Sequence, residues 1–120
     1  MKIYISHVKE SDFLDGLYKP IKESELYSKH EFFFPHDSNE LVNTKDIIKN
    51  SALVIAEVSQ PATGQGIELG WANILNVPIV CIYKDGCKIA GSLKYISDTF
   101  IVYSDQTDLI KKLSEYLNKI

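Results

Sequence analysis

The run Ala52-Leu53-Val54-Ile55-Ala56-Glu57-Val58 constrains the fold of this chain more than any other stretch. It is apolar except at Glu57 and does not alternate between apolar and polar positions. A strand of that kind, here Ala52 to Ser59, is expected to be buried on both faces, as in the centre of a parallel sheet. The flanking pattern agrees. Lys2 to Ser6 reads as the first strand, and Ser11 to about Ser28 as a helix with Ser11 at its N-cap, weakened by Gly16 and Pro20. Glu31 to Pro35 reads as the second strand, with a polar loop from His36, and Asn43 to Asn50 as a short helix. After the central strand come a helix from Gly66 to Leu75, a strand from Pro78 to Tyr83, a short helix from Gly91 to Ile96, a strand from Phe100 to Tyr103 and a terminal helix from Thr107 to Ile120. Leu109, Ile110, Leu113, Tyr116 and Leu117 form the apolar stripe of that last helix. Strands alternating with helices predict an α/β protein. The expected architecture is a flavodoxin-like three-layer sandwich with a five-stranded parallel sheet of order 2-1-3-4-5.

The chain has 120 residues, which fits a single domain over 1–120. Its net charge of -3 provides no general attraction to nucleic acid or anionic lipid, so neither is expected as a partner. All 13 cationic side chains are lysine, so the bidentate guanidinium clamp for phosphate is missing. Cys81 and Cys87 form no CxxC or zinc pattern and read as reduced thiols. The amino-terminal residues read as a strand and not a leader, and no apolar run has membrane-spanning length; a cytoplasmic location is expected.

The chemistry is expected where the central strand ends. Gln60-Pro61-Ala62-Thr63-Gly64-Gln65-Gly66-Ile67-Glu68-Leu69-Gly70 follows it directly. Gly64 and Gly66 are expected to let the backbone turn tightly and approach a ligand. Glu68 is expected in the first helical turn, on the rim where open α/β sheets bind small molecules. A carboxylate there can serve as a nucleophile, or simply as a dipole partner or cap. The expected strand order also brings Ser6, His7, His36, Ser59 and Gln60 to that rim.

The segment from Val54 to Pro61 running into Gly64 to Gly70 resembles the nucleoside 2-deoxyribosyltransferase family, and looks most similar to its 2'-deoxynucleoside 5'-phosphate N-hydrolase branch. The opening strand with Tyr4 is similar as well. The resemblance implies a flavodoxin-like fold and cleavage of an N-glycosidic bond, with Glu68 attacking C1' of the sugar and Tyr4 positioning it. It implies that Asp46 assists the departing base. Ser92, 24 positions after the glutamate, is implied as a contact to the 5'-phosphate from a neighbouring subunit. A homodimer or larger assembly with shared sites follows from that. The substrate it implies is a nucleoside or nucleotide, and neither metal nor organic cofactor is called for. The chain departs from the branch in two places. His7-Val8-Lys9 stands where a Gly-Ser-Ile type turn holds phosphate, and Ala62 where a phosphate-contacting serine lies. The segment between Asp46 and the central strand is also two residues shorter than in the family.

Each residue has a plainer alternative. Tyr4 is either a site residue or a core aromatic with its hydroxyl at the edge. Asp46, three residues after Asn43, fits a helix-start acid completing a cap. Glu57 either buttresses the loop after its strand or serves as an acid behind the site. His7 is a substrate contact, a proton donor or a surface histidine. Lys9 replaces a lost phosphate contact or is solvated, and Ser92 is a site residue or an N-cap. His36-Asp37 lacks a third metal ligand. Trp71 and Tyr83 stack on a base or pack in the core, and Phe32-Phe33-Phe34 reads as a buried strand. Two rival functions remain at this level: an NAD glycohydrolase similar to TIR domains, and a nucleotide-binding module without chemistry.

Overall fold

The computed structural model describes residues 1–9, 11–38 and 42–120. The polar loop expected after Pro35 runs through 39–41, which lie outside the described residues. Strands β1 (Lys2–Ser6), β2 (Glu31–Phe33), β3 (Leu53–Glu57), β4 (Ile79–Lys84) and β5 (Thr99–Tyr103) form one parallel sheet of order β2-β1-β3-β4-β5. Helices α1 (Lys19–Lys22), α2 (Leu26–Lys29), α3 (Thr44–Lys49), α4 (Thr63–Ile74) and α5 (Gln106–Lys119) flank it. The result is the flavodoxin-like three-layer sandwich expected from the strand-helix alternation.

The two-residue period of a strand sorts the core into two clusters. Ile3, Ile5, Leu53 and Ile55 face one side, where they meet Leu17, Ile21 and the α5 stripe of Leu109, Leu113 and Leu117. Tyr4, Val54, Ala56 and Cys81 face the other, against Ile48 of α3 and Leu69 and Ala72 of α4. Ile55 and Val54 are both fully buried, as the unbroken apolar run required. Burial also pushes the Cys81 thiol up to about 11, consistent with an inert core cysteine.

The long helix expected from Ser11 is broken up. A π turn over Leu14–Tyr18 runs into α1, and α2 is separate. Pro20 has no N–H, and its ring would clash with the carbonyl four residues back, that of Gly16. In the π turn the Lys19 N–H bonds the Leu14 carbonyl instead, relieving that register.

The helix carrying Glu68 also begins earlier than expected, at Thr63 instead of Gly66. Gly64 and Gly66 are therefore helical residues and form no tight turn; among the described glycines only Gly86 has positive φ. At the other end, Asn76 adopts φ 60, and the Val77 and Asn76 N–H groups bond the Ala72 and Asn73 carbonyls. That Schellman closure stops α4 before β4.

Candidate active site

All five strands run in parallel, so their carboxyl ends share one rim. Tyr4 and Ser6, two apart on β1, point to the same face of the sheet. On that face α4 buries Gln65, Leu69 and Ala72. Glu68, one position before Leu69, falls half-buried at the border of the packed stripe. The three elements meet at its carboxylate. The Tyr4 hydroxyl donates to Oε2, and the Ser6 hydroxyl donates to Oε1 at 3.0 Å.

Tyr4 is fully buried and stacks on Phe33 with centroids 5.7 Å apart. Burial, reinforced by the Glu68 charge and hydrogen bond, holds its phenol far above the ordinary range. It therefore remains an O–H donor across the working pH range. Among the described residues no lysine lies within ion-pair distance of Glu68. Its two oxygens are oriented by neutral donors, and each keeps a lone pair free. A carboxylate so held can stabilise positive charge developing in front of it, or bond to the atom that bears it.

In front of it lies a cavity of about 470 Å³, within the range of small-molecule sites. His7, Lys9, His36, Thr44, Gly64 and Trp71 line it along with Glu68. The structure thus brings Tyr4, Glu68, His7 and Gly64 together. His7 is nearly fully buried. Its Nδ1 donates to the Val8 carbonyl at 2.9 Å, and its Nε2 accepts from the Tyr18 hydroxyl. Burial lowers its pKa, and the neighbouring His36 lowers it further.

Asp46 is not part of this group. It is exposed on α3 and lines a separate hollow with Lys2 and Glu31, at the amino-terminal ends of β1 and β2. Asn43 caps α3 by accepting from the Lys45 N–H, and its carbonyl accepts from the Asp46 N–H. The α3 side chain at the Glu68 cavity is Thr44, two residues earlier. The two-residue shortfall in spacing before β3 is a signal that could have found it, but the sequence reading stayed with Asp46. Ser6 was legible as a rim residue, but its contact with Glu68 required the second period of β1.

Gly66 and Ser92 line a neighbouring cavity of about 400 Å³, separated from the first by the start of α4. Ser92 does not cap its 3-10 segment (Gly91–Tyr95), whose N-cap is Ala90. Glu68 lies in the second turn of α4, and no acid stands in the first, so the helix-end field acts on it less than expected. Glu57 faces the other side of the sheet. It accepts from the Ser59 N–H at 2.7 Å and from the Tyr103 hydroxyl, buttressing the loop after β3. Asp37 is drawn to Lys22 at 2.6 Å, away from any shared site with His36. Among the described residues, no group of three or more His, Cys, Asp or Glu is placed to hold a metal, and no helix is long and apolar enough to cross a membrane.

No protein-family model matches the chain. Among curated sequences, a putative 2'-deoxynucleoside 5'-phosphate N-hydrolase 1 of Syntrophotalea carbinolica is 42% identical over 73 residues, 58% of this chain and 51% of that protein. Its namesake in Methanosarcina barkeri is 30% identical over 74 residues, 59% of this chain and 46% of that protein. A 5-hydroxymethyl-dUMP N-hydrolase of Mus musculus is 35% identical over 48 residues, 38% of this chain and 28% of that protein. The matches thus span about half the length of the first two relatives. Among solved structures, a CMP N-glycosidase of Clostridium botulinum superposes with a TM-score of 0.67 over 95% of this chain and 99% of that one, at 22% identity, which supports the fold alone. The sequence relatives bear out the resemblance of this chain to the nucleoside 2-deoxyribosyltransferase family, on the side of its 2'-deoxynucleoside 5'-phosphate N-hydrolases.

Proposed function

We propose that this chain cleaves the N-glycosidic bond of a nucleoside or nucleoside 5'-monophosphate, with Glu68 as the nucleophile. One observation carries the reading: a carboxylate gripped at both oxygens by Tyr4 and Ser6 borders a sugar-sized cavity at the carboxyl rim of the sheet. The names of the relatives, all N-hydrolases, point to the same bond. Loss of the base leaves positive charge on C1', in an oxocarbenium-like state. Glu68 Oε stabilises that charge and bonds to C1', giving a glycosyl-enzyme. Water then attacks C1' and releases the sugar; a second nucleobase in place of water would make the same site a transferase. Tyr4 and Ser6 limit rotation of the carboxylate, so that its attacking lone pair meets C1' in line.

The same reading includes a homodimer in which Ser92 of one subunit reaches the sugar or phosphate end of the other's site. In a single chain Ser92 is exposed and lines its own cavity, which suits a role across a subunit boundary. Incubation with a panel of ribo- and deoxyribonucleosides and their 5'-monophosphates, with chromatography for free base, tests the activity. Base release without an acceptor is expected, and Glu68→Gln is expected to abolish it. Release that persists undiminished in Glu68→Gln, or binding without release, rules the reading out. Base exchange only when an acceptor is added would assign transfer instead of hydrolysis.

A further inference from the structure

We propose that His36 is the acid that protonates the departing base. The inference rests on the N-glycoside reading above and names a catalytic group that reading leaves open. When the C1'–N bond breaks, its electron pair goes to the base, and a poor leaving group needs a proton delivered in the same step. Most of the other candidate donors around the cavity are committed or absent. Tyr4 and Ser6 donate to Glu68. Asp46 lies at another hollow. His7 spends its Nδ1 proton on the Val8 carbonyl and its Nε2 lone pair on Tyr18. Thr44 offers only an aliphatic hydroxyl, too weak an acid for the task.

His36 is the contrasting group. It is exposed and lines the Glu68 cavity, and neither ring nitrogen has a hydrogen-bond partner among the described residues. Its position is nonetheless fixed. The backbone N–H donates to the Tyr18 hydroxyl at 3.1 Å. The ring sits edge-on to His7 at 5.1 Å and tilted against Phe13 at 5.4 Å. Tyr18 therefore ties the two histidines together, accepting from the His36 backbone and donating to the His7 ring. The charged or titratable groups facing His36 are His7 and Lys9 from the end of β1, Tyr18 behind it, and Glu68 across the cavity. Asp37 beside it is engaged by Lys22. General acids work best when they titrate near the working pH, which favours an imidazole over an ammonium or a hydroxyl.

The step balances. The protonated His36 ring gives its proton to the base as C1'–N breaks and Glu68 Oε bonds to C1'. In the second half the neutral ring takes a proton from water as water bonds to C1' and the C1'–Oε bond breaks. The ring and the carboxylate return to their starting states.

The test compares wild type, His36→Gln and His36→Ala on pairs differing in how much the leaving base needs a proton. One pair is 2'-deoxyguanosine 5'-monophosphate and its N7-methyl form, whose base leaves neutral without protonation. The other is a series of 5-substituted 2'-deoxyuridine 5'-monophosphates of increasing base acidity. Both variants are expected to lose about 100-fold or more in kcat on the unmodified bases and to approach wild type on the N7-methyl and most acidic ones. His30→Gln, a control at the amino-terminal end of the sheet, should stay near wild type on every base. Equal losses on all bases, or none on any, would overturn His36 as the acid while leaving Glu68 as the nucleophile. If wild type releases no base from the whole panel, the activity itself fails and this proposal with it.

Discussion

Two glutamate–tyrosine pairs stand at the carboxyl rim, one on each face of the sheet, and their surroundings differ. Glu57 ends β3 and binds Tyr103 of β5, while its other oxygen takes the Ser59 N–H. Its own carbonyl accepts from Gln65 of α4, and Ser59 Oγ accepts from the Lys84 N–H. Glu57 therefore joins β3 to β5 and, through its carbonyl, to α4, and one of its oxygens satisfies a main-chain donor. Glu68 is held by two side-chain hydroxyls from a single strand and satisfies no backbone group among the described residues. A carboxylate that supports main-chain geometry is difficult to remove without loosening the fold. One that only borders a cavity can be removed at little structural cost, and is the one available for chemistry.

Substitutions can break this contrast, and the largest effect is expected at Glu68. Glu68→Gln should reduce base release by at least about a thousand-fold with the circular dichroism spectrum unchanged. Glu57→Gln, which can still accept from Ser59, should lower kcat by no more than about tenfold. A comparable collapse in both variants would erase the distinction. Next come the tyrosines. Tyr4→Phe removes the donor that orients the nucleophile and should cost about 10- to 100-fold in kcat, with KM less affected. Tyr103→Phe should leave kcat near wild type and lower stability by about 1 kcal/mol in urea titrations. Equal kcat losses would tie Tyr103 to the site as well.

The stability side of the comparison reverses the order. Glu57→Ala strips the Ser59 N–H and the Tyr103 hydroxyl of their acceptor and should cost about 2 kcal/mol, read from the urea midpoint. Glu68→Ala should cost less than about 1 kcal/mol, since water in the open cavity can take over its two donors. A larger loss at Glu68 than at Glu57 would contradict the division of roles.

The smallest effect is a pH dependence of folding from His7. Burial holds its folded pKa below the ordinary value of about 6.5, so below that pH the unfolded chain binds more protons than the folded one. Its contribution is therefore complete above about pH 6.5 and is lost as pH falls from there toward the depressed folded value. The urea midpoint should drop between pH 7.5 and 5.5 in the wild type and drop less in His7→Gln.

Much of this arrangement was legible beforehand. The uninterrupted Ala52–Val58 run placed the central strand, and strand-helix alternation placed its neighbours on either side. Glu68 and Tyr4 were marked by the resemblance, and they meet. Other features depended on backbone detail that side-chain chemistry announces poorly. Ala62 makes no side-chain cap, so nothing local signalled that α4 starts at Thr63. The glycines that suggested a turn are absorbed into the helix as a result. Asp46 is the right residue type two positions too late, and the helical register of α3 turns Thr44 to the cavity instead. His7 was open as a proton donor until Val8 and Tyr18 were seen to occupy both of its ring nitrogens.

Local chemistry along the chain determined which segments are strands, which of them is central, and which carboxylate ends up beside a cavity, because apolar period and glutamate position act over a few residues. Partnership was decided only when distant segments packed. Tyr4 and Ser6 meet Glu68 across more than sixty residues of chain. His36 lies beside His7 because both anchor on Tyr18, and no pattern shorter than the whole fold encodes such a contact.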